Sequence, residues 1–155
     1  MTMASTPIAM TIAGSDSGGG AGIQADLKTM SALGVYGTTA ICALTAQNTR
    51  GVQGVELASP AFVVAQIDSI LSAIDVRAAK TGMLANAAIV AAVADRMRQA
   101  PHIPLVVDPV MIATSGDSLL SSDAIDAVRH KLLSAARIVT PNLPEAAKLL
   151  SSSEA

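Results

Sequence analysis

Five short segments hold the side chains of this chain best equipped for chemistry, and each follows an apolar run. They are Gly14-Ser15-Asp16 with the glycines behind it, Gln47-Asn48, Gly82-Met83, Asp108-Pro109-Val110, and Asn142 with Glu145. The first is the richest. From Ala13 to Lys28 it packs a strand end, a glycine turn and a helix start into sixteen residues. Turns of this kind let the backbone come close to a bound small molecule. The Lys-Ser/Thr ending of a P-loop is missing, and the glycines are not placed as in a dinucleotide fingerprint. Asp16 stands where a phosphate cradle would avoid an acid. A carboxylate there suits polar donors, such as a ligand hydroxyl or amine. The same turn without a ligand would be a tight strand-to-helix connection.

The other segments admit plainer roles beside functional ones. Asp108 ends the apolar run Leu105-Val106-Val107, a costly place for a charge without a partner. Its alternative role is to cap the loop that follows. Asn142 and Glu145 have the three-residue spacing of a helix capping box. Met83 and Val110, taken alone, read as core packing. Lys80 shows no catalytic role of its own, and His102 and His130 read as surface residues. Cys42 is the single cysteine, so no intrachain disulfide can form, and its apolar setting marks an inert buried thiol of a reducing cytoplasm.

The elements that must position these residues alternate strand and helix. Strands are expected at Met10–Ala13, Thr38–Thr45, Ala78–Gly82, Leu105–Val107 and Ile138–Thr140, with an alternating edge strand at Val52–Leu57. Helices are expected at Ala21–Leu33, stopped by Gly34; after Ser59-Pro60, with Val63, Ile67, Ile70, Leu71 and Ile74 on one face; and at Asn86–Gln99. Two more begin at Ser122, as a cap, and at Asn142. The pattern argues an α/β fold, a three-layer αβα arrangement with a mostly parallel sheet and crossover helices. In such sheets ligands bind beyond the carboxyl ends of the strands. The five segments should therefore converge on one edge.

Composition narrows the function further. The chain has 155 residues, enough for one domain with a real core, read as a single unit over 1–155. Hydrophobic residues make up 51%, yet Tyr36 and Phe62 are the only aromatics, so the core must be aliphatic. The net charge of −2 and the lack of a basic run speak against nucleic acid and an anionic membrane as partners. The uncharged stretch Thr29–Thr49 is broken by glycines and polar residues, as a helix end, a turn and a buried strand would be. No signal peptide is apparent.

The string Ala13-Gly14-Ser15-Asp16-Ser17-Gly18-Gly19-Gly20-Ala21-Gly22-Ile23-Gln24-Ala25-Asp26-Leu27-Lys28 resembles the signature of the hydroxymethylpyrimidine and phosphomethylpyrimidine kinases of thiamine biosynthesis, within the ribokinase-like superfamily. Further resemblances follow in order at Thr45–Thr49, Lys80–Leu84, Val107–Met111, Ser115-Gly116-Asp117 and Thr140–Glu145, so that the likeness runs from Met10 to Leu150. It implies a cytoplasmic kinase that uses ATP and Mg²⁺ to phosphorylate 4-amino-5-hydroxymethyl-2-methylpyrimidine and then its monophosphate. It implies that the pyrimidine lies near Gly14, Asp16 and Ala21, that Gln47 hydrogen-bonds its nitrogens, and that Met83 and Val110 sandwich the ring. Asp108, Asn142 and Glu145 match positions near metal and phosphate. The resemblance also sets expectations for what is missing. A Gly-Thr-Gly-Cys-like motif, which builds the family's anion hole and supplies its catalytic residue, does not occur in the sequence. This is expected to be the N-terminal part of such a domain, with little or no activity alone and an open sheet edge that invites a second copy. The alternatives are a pyridoxal-type kinase and a non-catalytic pyrimidine-binding fragment.

Overall fold

Strand β1 (Ile8–Asp16) runs through the middle of a six-stranded sheet, and its neighbours set the architecture. The computed structural model describes residues 6–111 and 121–150, so the Ser115-Gly116-Asp117 segment lies outside the described residues. The other strands are β2 (Tyr36–Asn48), β3 (Gly51–Leu57), β4 (Ala78–Thr81), β5 (Leu105–Val107) and β6 (Ile138–Val139), in the order β3-β2-β1-β4-β5-β6. All pairings are parallel except β2 with β3, which form an antiparallel edge arm. Met10 sits opposite Thr38 of β2 and Ala79 of β4, which fixes one face of the central strands toward the core.

The chain steps from β1 to β2 in one direction and returns across β1 to reach β4, β5 and β6 in the other. Right-handed crossovers then put helix α1 (Gly22–Ala32) on one face, and helices α2 (Pro60–Ala73), α3 (Ala87–Arg98) and α4 (Ser122–Ala127) on the other. The contacts agree: α1 packs on β1 and β2, whereas α3 packs against both α2 and α4. The core lies under α2 and α3. Met10, Ile12, Ala40, Cys42, Leu105 and Val107 from the sheet meet Val63, Ile67, Ile89, Val90 and Val93 from the helices. As the composition requires, it is aliphatic.

Helix starts follow local chemistry. Ser59 Oγ accepts from Phe62 N at 3.2 Å ahead of Pro60, and Asn86 Oδ1 accepts from Ile89 N at 2.9 Å. Gly34, at φ +71°, ends α1 in the left-handed conformation that glycine adopts without cost. Asn142 and Glu145 form the reciprocal capping box of α5 (Leu143–Leu150). Asn142 N donates to Glu145 Oε2 and Glu145 N donates to Asn142 Oδ1, each at 2.9 Å.

Three expectations need correcting. The cap position before α4 falls on Ser121, not Ser122, and its side chain makes no capping bond. Ile74 is no longer helical; it follows α2 in an extended conformation and reaches the core from there. The helix expected to begin at Ser122 lasts six residues before it widens into a π-helical turn, Val128–Leu132, and then tightens over Leu133–Ala135. A long-range tie starts from it. From the widened turn Arg129 donates to Lys148 O at 2.7 Å and Leu149 O at 3.0 Å, and pairs with Asp126 at 3.0 Å, so its guanidinium secures the end of α5.

Candidate functional site

Strand order places the five segments along one sheet edge in a fixed sequence: Gln47, then Gly14 and Asp16, then Met83, then Asp108 and Val110, then Asn142 and Glu145. The convergence expected from the sequence is present. The switch in chain direction falls between β1 and β4, the place where open α/β sheets form their crevice.

The glycine turn is shaped by its own acid. Asp16 Oδ1 accepts from Gly18 N at 2.7 Å, and Oδ2 accepts from Gly20 N at 2.9 Å and Ala21 N at 2.8 Å. Gly19, at φ +74°, turns the chain so that these amides face inward. Burial pushes the Asp16 carboxyl up, but the amides of Gly18, Ala21, Gly20 and Gly19 together outweigh it and hold the group below the usual aspartate range. Asp16 is nearly buried, and its donors are the amides of the turn itself. Gln24, one turn into α1, braces the same strand end: its Oε1 accepts from Asp16 N at 2.8 Å and its Nε2 donates to Ser15 Oγ at 2.7 Å.

At Gly14 the flexible end of Met83 occupies the place a side chain would take. Its N–H donates to Met83 O at 3.1 Å, and a Cβ there would lie 2.6 Å from Met83 Cε. The thioether thus rests on bare backbone. Ala85, at φ +67°, holds the loop behind Met83 in a conformation rarely used by residues with a side chain. Gly22 is more constrained still, at φ +55° with a hypothetical Cβ 2.3 Å from Gly14 O. Ala21, exposed, is the first residue of α1's N-terminal cap. Gln47 and Val110 are half-buried.

At the β5 end of the edge, Asp108 has the partner that its position demands. Lys80 Nζ lies 3.4 Å from Asp108 Oδ2, and it donates to both oxygens of Asp26 at 3.0 and 3.2 Å. Thr11 Oγ1 donates to Asp26 Oδ2 at 2.6 Å. Lys80, to which the sequence assigned nothing, therefore joins α1 to the end of β5. Asp26, Gln24, Ser17 and Thr45 were likewise missed. The alternation of polar residues with core residues on β1 and β4 was the available signal, since Thr11 and Lys80 stand opposite each other in register. Asn142 and Glu145 bond to each other and, among the described residues, not to Asp108.

Among the described residues, no group of three or more His, Cys, Asp or Glu side chains could by itself hold a metal ion. Single hard carboxylates such as Asp108 suit an ion that keeps its waters and takes phosphate oxygens for the remainder. Two shallow clefts, about 430 and 480 Å³, open at the opposite end of the sheet near Ile74–Val76 and Ala136-Arg137. His102 lines both, but none of the candidate binding residues does. Cys42 is buried, which pushes its thiol up to about 12, the inert state expected. No helix among the described residues is long and apolar enough to cross a membrane.

Sheet order, crossovers and edge define a ribokinase-like α/β fold. The chain belongs to the phosphomethylpyrimidine kinase family, whose model matches residues 16–155. It is 59% identical over 142 residues to the hydroxymethylpyrimidine/phosphomethylpyrimidine kinase of Rhizobium meliloti (strain 1021), a match that covers 92% of this chain and 53% of that protein. The crystal structure of phosphomethylpyrimidine kinase from Clostridium difficile 630 superposes with a TM-score of 0.88 at 45% identity, over 93% of this chain and 62% of the other. The pyridoxal kinase from Staphylococcus aureus in complex with AMP-PCP and pyridoxal superposes with a TM-score of 0.79 at 34% identity, over 94% of this chain and 51% of the other. The chain spans about half the length of the curated relatives it matches.

Proposed function

We propose that this chain carries the substrate-binding half of an ATP-dependent kinase acting on hydroxymethylpyrimidine and its monophosphate. The observation that carries this reading is the contact of Met83 with the bare backbone of Gly14, beside a Gln47 that is tied to the glycine turn. A flat heterocycle fits between a thioether and an aliphatic residue, with an amide at its edge. Met83 and Val110 take the ring faces, Gly14 and Ala21 form the floor, and Asp16 holds the turn in shape beneath it. The amide of Gln47 has a donor and an acceptor side by side, which complements an exocyclic amine next to a ring nitrogen.

Phosphoryl transfer would form a bond from the hydroxymethyl oxygen to the γ-phosphorus of ATP and break the bond to the β,γ-bridging oxygen, releasing ADP and the hydroxyl proton. Catalysis of this kind rests on positioning and charge stabilisation. Asp108, Asn142 and Glu145 lie on the side of the edge where metal and phosphates are proposed to sit. Mg²⁺, when bound, neutralises phosphate charge. Asp108 would face it through water, and Lys80 keeps that carboxylate in place. Glu145, nearly buried and engaged by Asn142 N, contributes by orienting the start of α5.

The test is calorimetric titration of this chain with 4-amino-5-hydroxymethyl-2-methylpyrimidine, with pyridoxal as competitor. Saturable aminopyrimidine binding that is lost in Gln47→Ala supports the reading. Absence of binding, or preference for pyridoxal, would overturn it.

A further inference from the structure

The end of β2 is held by an unusual tie. The ladder between β2 and β3 shifts register between Ala46 and Gln47 and resumes with Gln47 opposite Val52 and Asn48 opposite Gly51. On its other side Gln47 is held by Ser17. Its hydroxyl donates to Gln47 O at 2.8 Å and accepts from Gln47 N at 2.8 Å. One side chain thus engages both backbone groups of one residue, as a neighbouring strand would. Thr45 adds a second stitch, donating to Ser15 O at 2.8 Å and standing 3.3 Å from Gln47 Oε1. The two segments are already at contact distance, since a Cβ on Gly18 would lie 3.3 Å from Gln47 O and 3.5 Å from Asn48 Cα.

The backbone of Gln47 is thus held on its β1 side. Its Oε1 stands 3.3 Å from Thr45 Oγ1, and no protein acceptor among the described residues takes Nε2, so its N–H donors are open to a ligand. We propose that Ser17 is a positioning residue that sets ligand specificity: it holds Gln47 so that the amide meets the paired amine and ring nitrogen of an aminopyrimidine. The inference rests on the reading of Gln47 given above. Pyridoxal has no amine beside its ring nitrogen, so it gains little from a fixed amide. Ser17 should therefore govern the choice between the two ligands and not merely the tightness of the site.

The experiment is calorimetry on the full chain with both ligands, using Ser17→Ala, Ser17→Thr, Gln47→Ala and the Ser17→Ala/Gln47→Ala double variant. Ser17→Ala should weaken aminopyrimidine binding about tenfold, the scale of one or two lost hydrogen bonds. Pyridoxal binding should stay within about twofold, a difference too small for a lost hydrogen bond. Ser17→Thr, which keeps the hydroxyl, should restore affinity. In the Gln47→Ala background Ser17→Ala should add nothing, because the two residues act as one unit. Equal losses for both ligands, additive losses in the double variant, or loss of the cooperative melt in Ser17→Ala would each overturn the proposal. If the unaltered chain binds no aminopyrimidine, the functional reading fails. The clamp is then judged by amide exchange at Gln47, which Ser17→Ala must accelerate if the clamp is real.

Discussion

Removing the carboxylate of Asp16 should loosen the glycine turn by an amount that the geometry fixes. Three backbone amides, those of Gly18, Gly20 and Ala21, donate to it at 2.7 to 2.9 Å. Hydrogen bonds to a charged group contribute about 1.5–3 kcal/mol each when buried, but the donors here lie in an exposed turn that water can reach, so about 1 kcal/mol apiece is the better scale. Asp16→Ala should thus cost about 3 kcal/mol, or about 6–12 °C in melting temperature for a chain of this size. Asp16→Asn keeps one acceptor oxygen and should lose about half as much. The assay is thermal denaturation followed by far-UV circular dichroism at neutral pH and again in steps toward strong acid. Because the folded carboxyl is held below the usual aspartate range, its stabilisation is fully present above that range. It is lost as pH falls through the lower, folded value. The gap between the unaltered chain and Asp16→Ala should therefore close in acid. A melting temperature unchanged by Asp16→Ala, or a gap of the same size at the acid end, would refute the claim that the acid organises the turn.

Two further substitutions probe the same edge. Gly22→Ala places a Cβ 2.3 Å from Gly14 O at a φ of +55°, and since the obstacle is backbone, the turn must shift. The expected loss is about 3 kcal/mol or more, read as a melting temperature lower than that of Asp16→Ala. Lys80→Met leaves Asp26 and Asp108 without their shared counter-charge, and their partial exposure keeps the cost to about 1–3 kcal/mol. Urea unfolding of Lys80→Met, Asp26→Leu and the pair should show a double variant less damaged than the two single losses summed. Simple additivity would mean that the ion pair contributes nothing.

The sheet was legible because its strands are short apolar runs punctuated by glycine, proline and acids. Asp108 and Gly82 mark strand ends by chemistry that needs no tertiary information. The capping box at Asn142 and Glu145 was legible for the same reason, as both bonds span three residues. The widened turn at Val128–Leu132 was not, because its tie through Arg129 reaches residues nineteen and twenty positions away. At the candidate site, residue types pointed to one sheet edge but not to how its side chains pair. Nothing local to Asp16 says that its donors are the amides of its own turn. Nothing local to Lys80 says that it stands between acids from α1 and from the end of β5. Ser17 reads as one more small residue in a turn until Gln47, thirty positions on, is brought beside it.

Among the described residues helix α1 is alone on its face of the sheet, and Ile23 is its one buried residue. Helix α3, by contrast, buries Ile89, Val90, Val93, Ala94 and Met97. What docks α1 is polar and apolar together: Asp26 reaches Thr11 and Lys80, Gln24 reaches the end of β1, and Leu27 and Met30 press on Gly37 of β2, where a Cβ would lie 2.5 and 3.0 Å from them. With fewer buried side chains than α3 and an ion pair at its centre, α1 takes a larger share of its hold from charge, so added salt should loosen its docking more than that of α3.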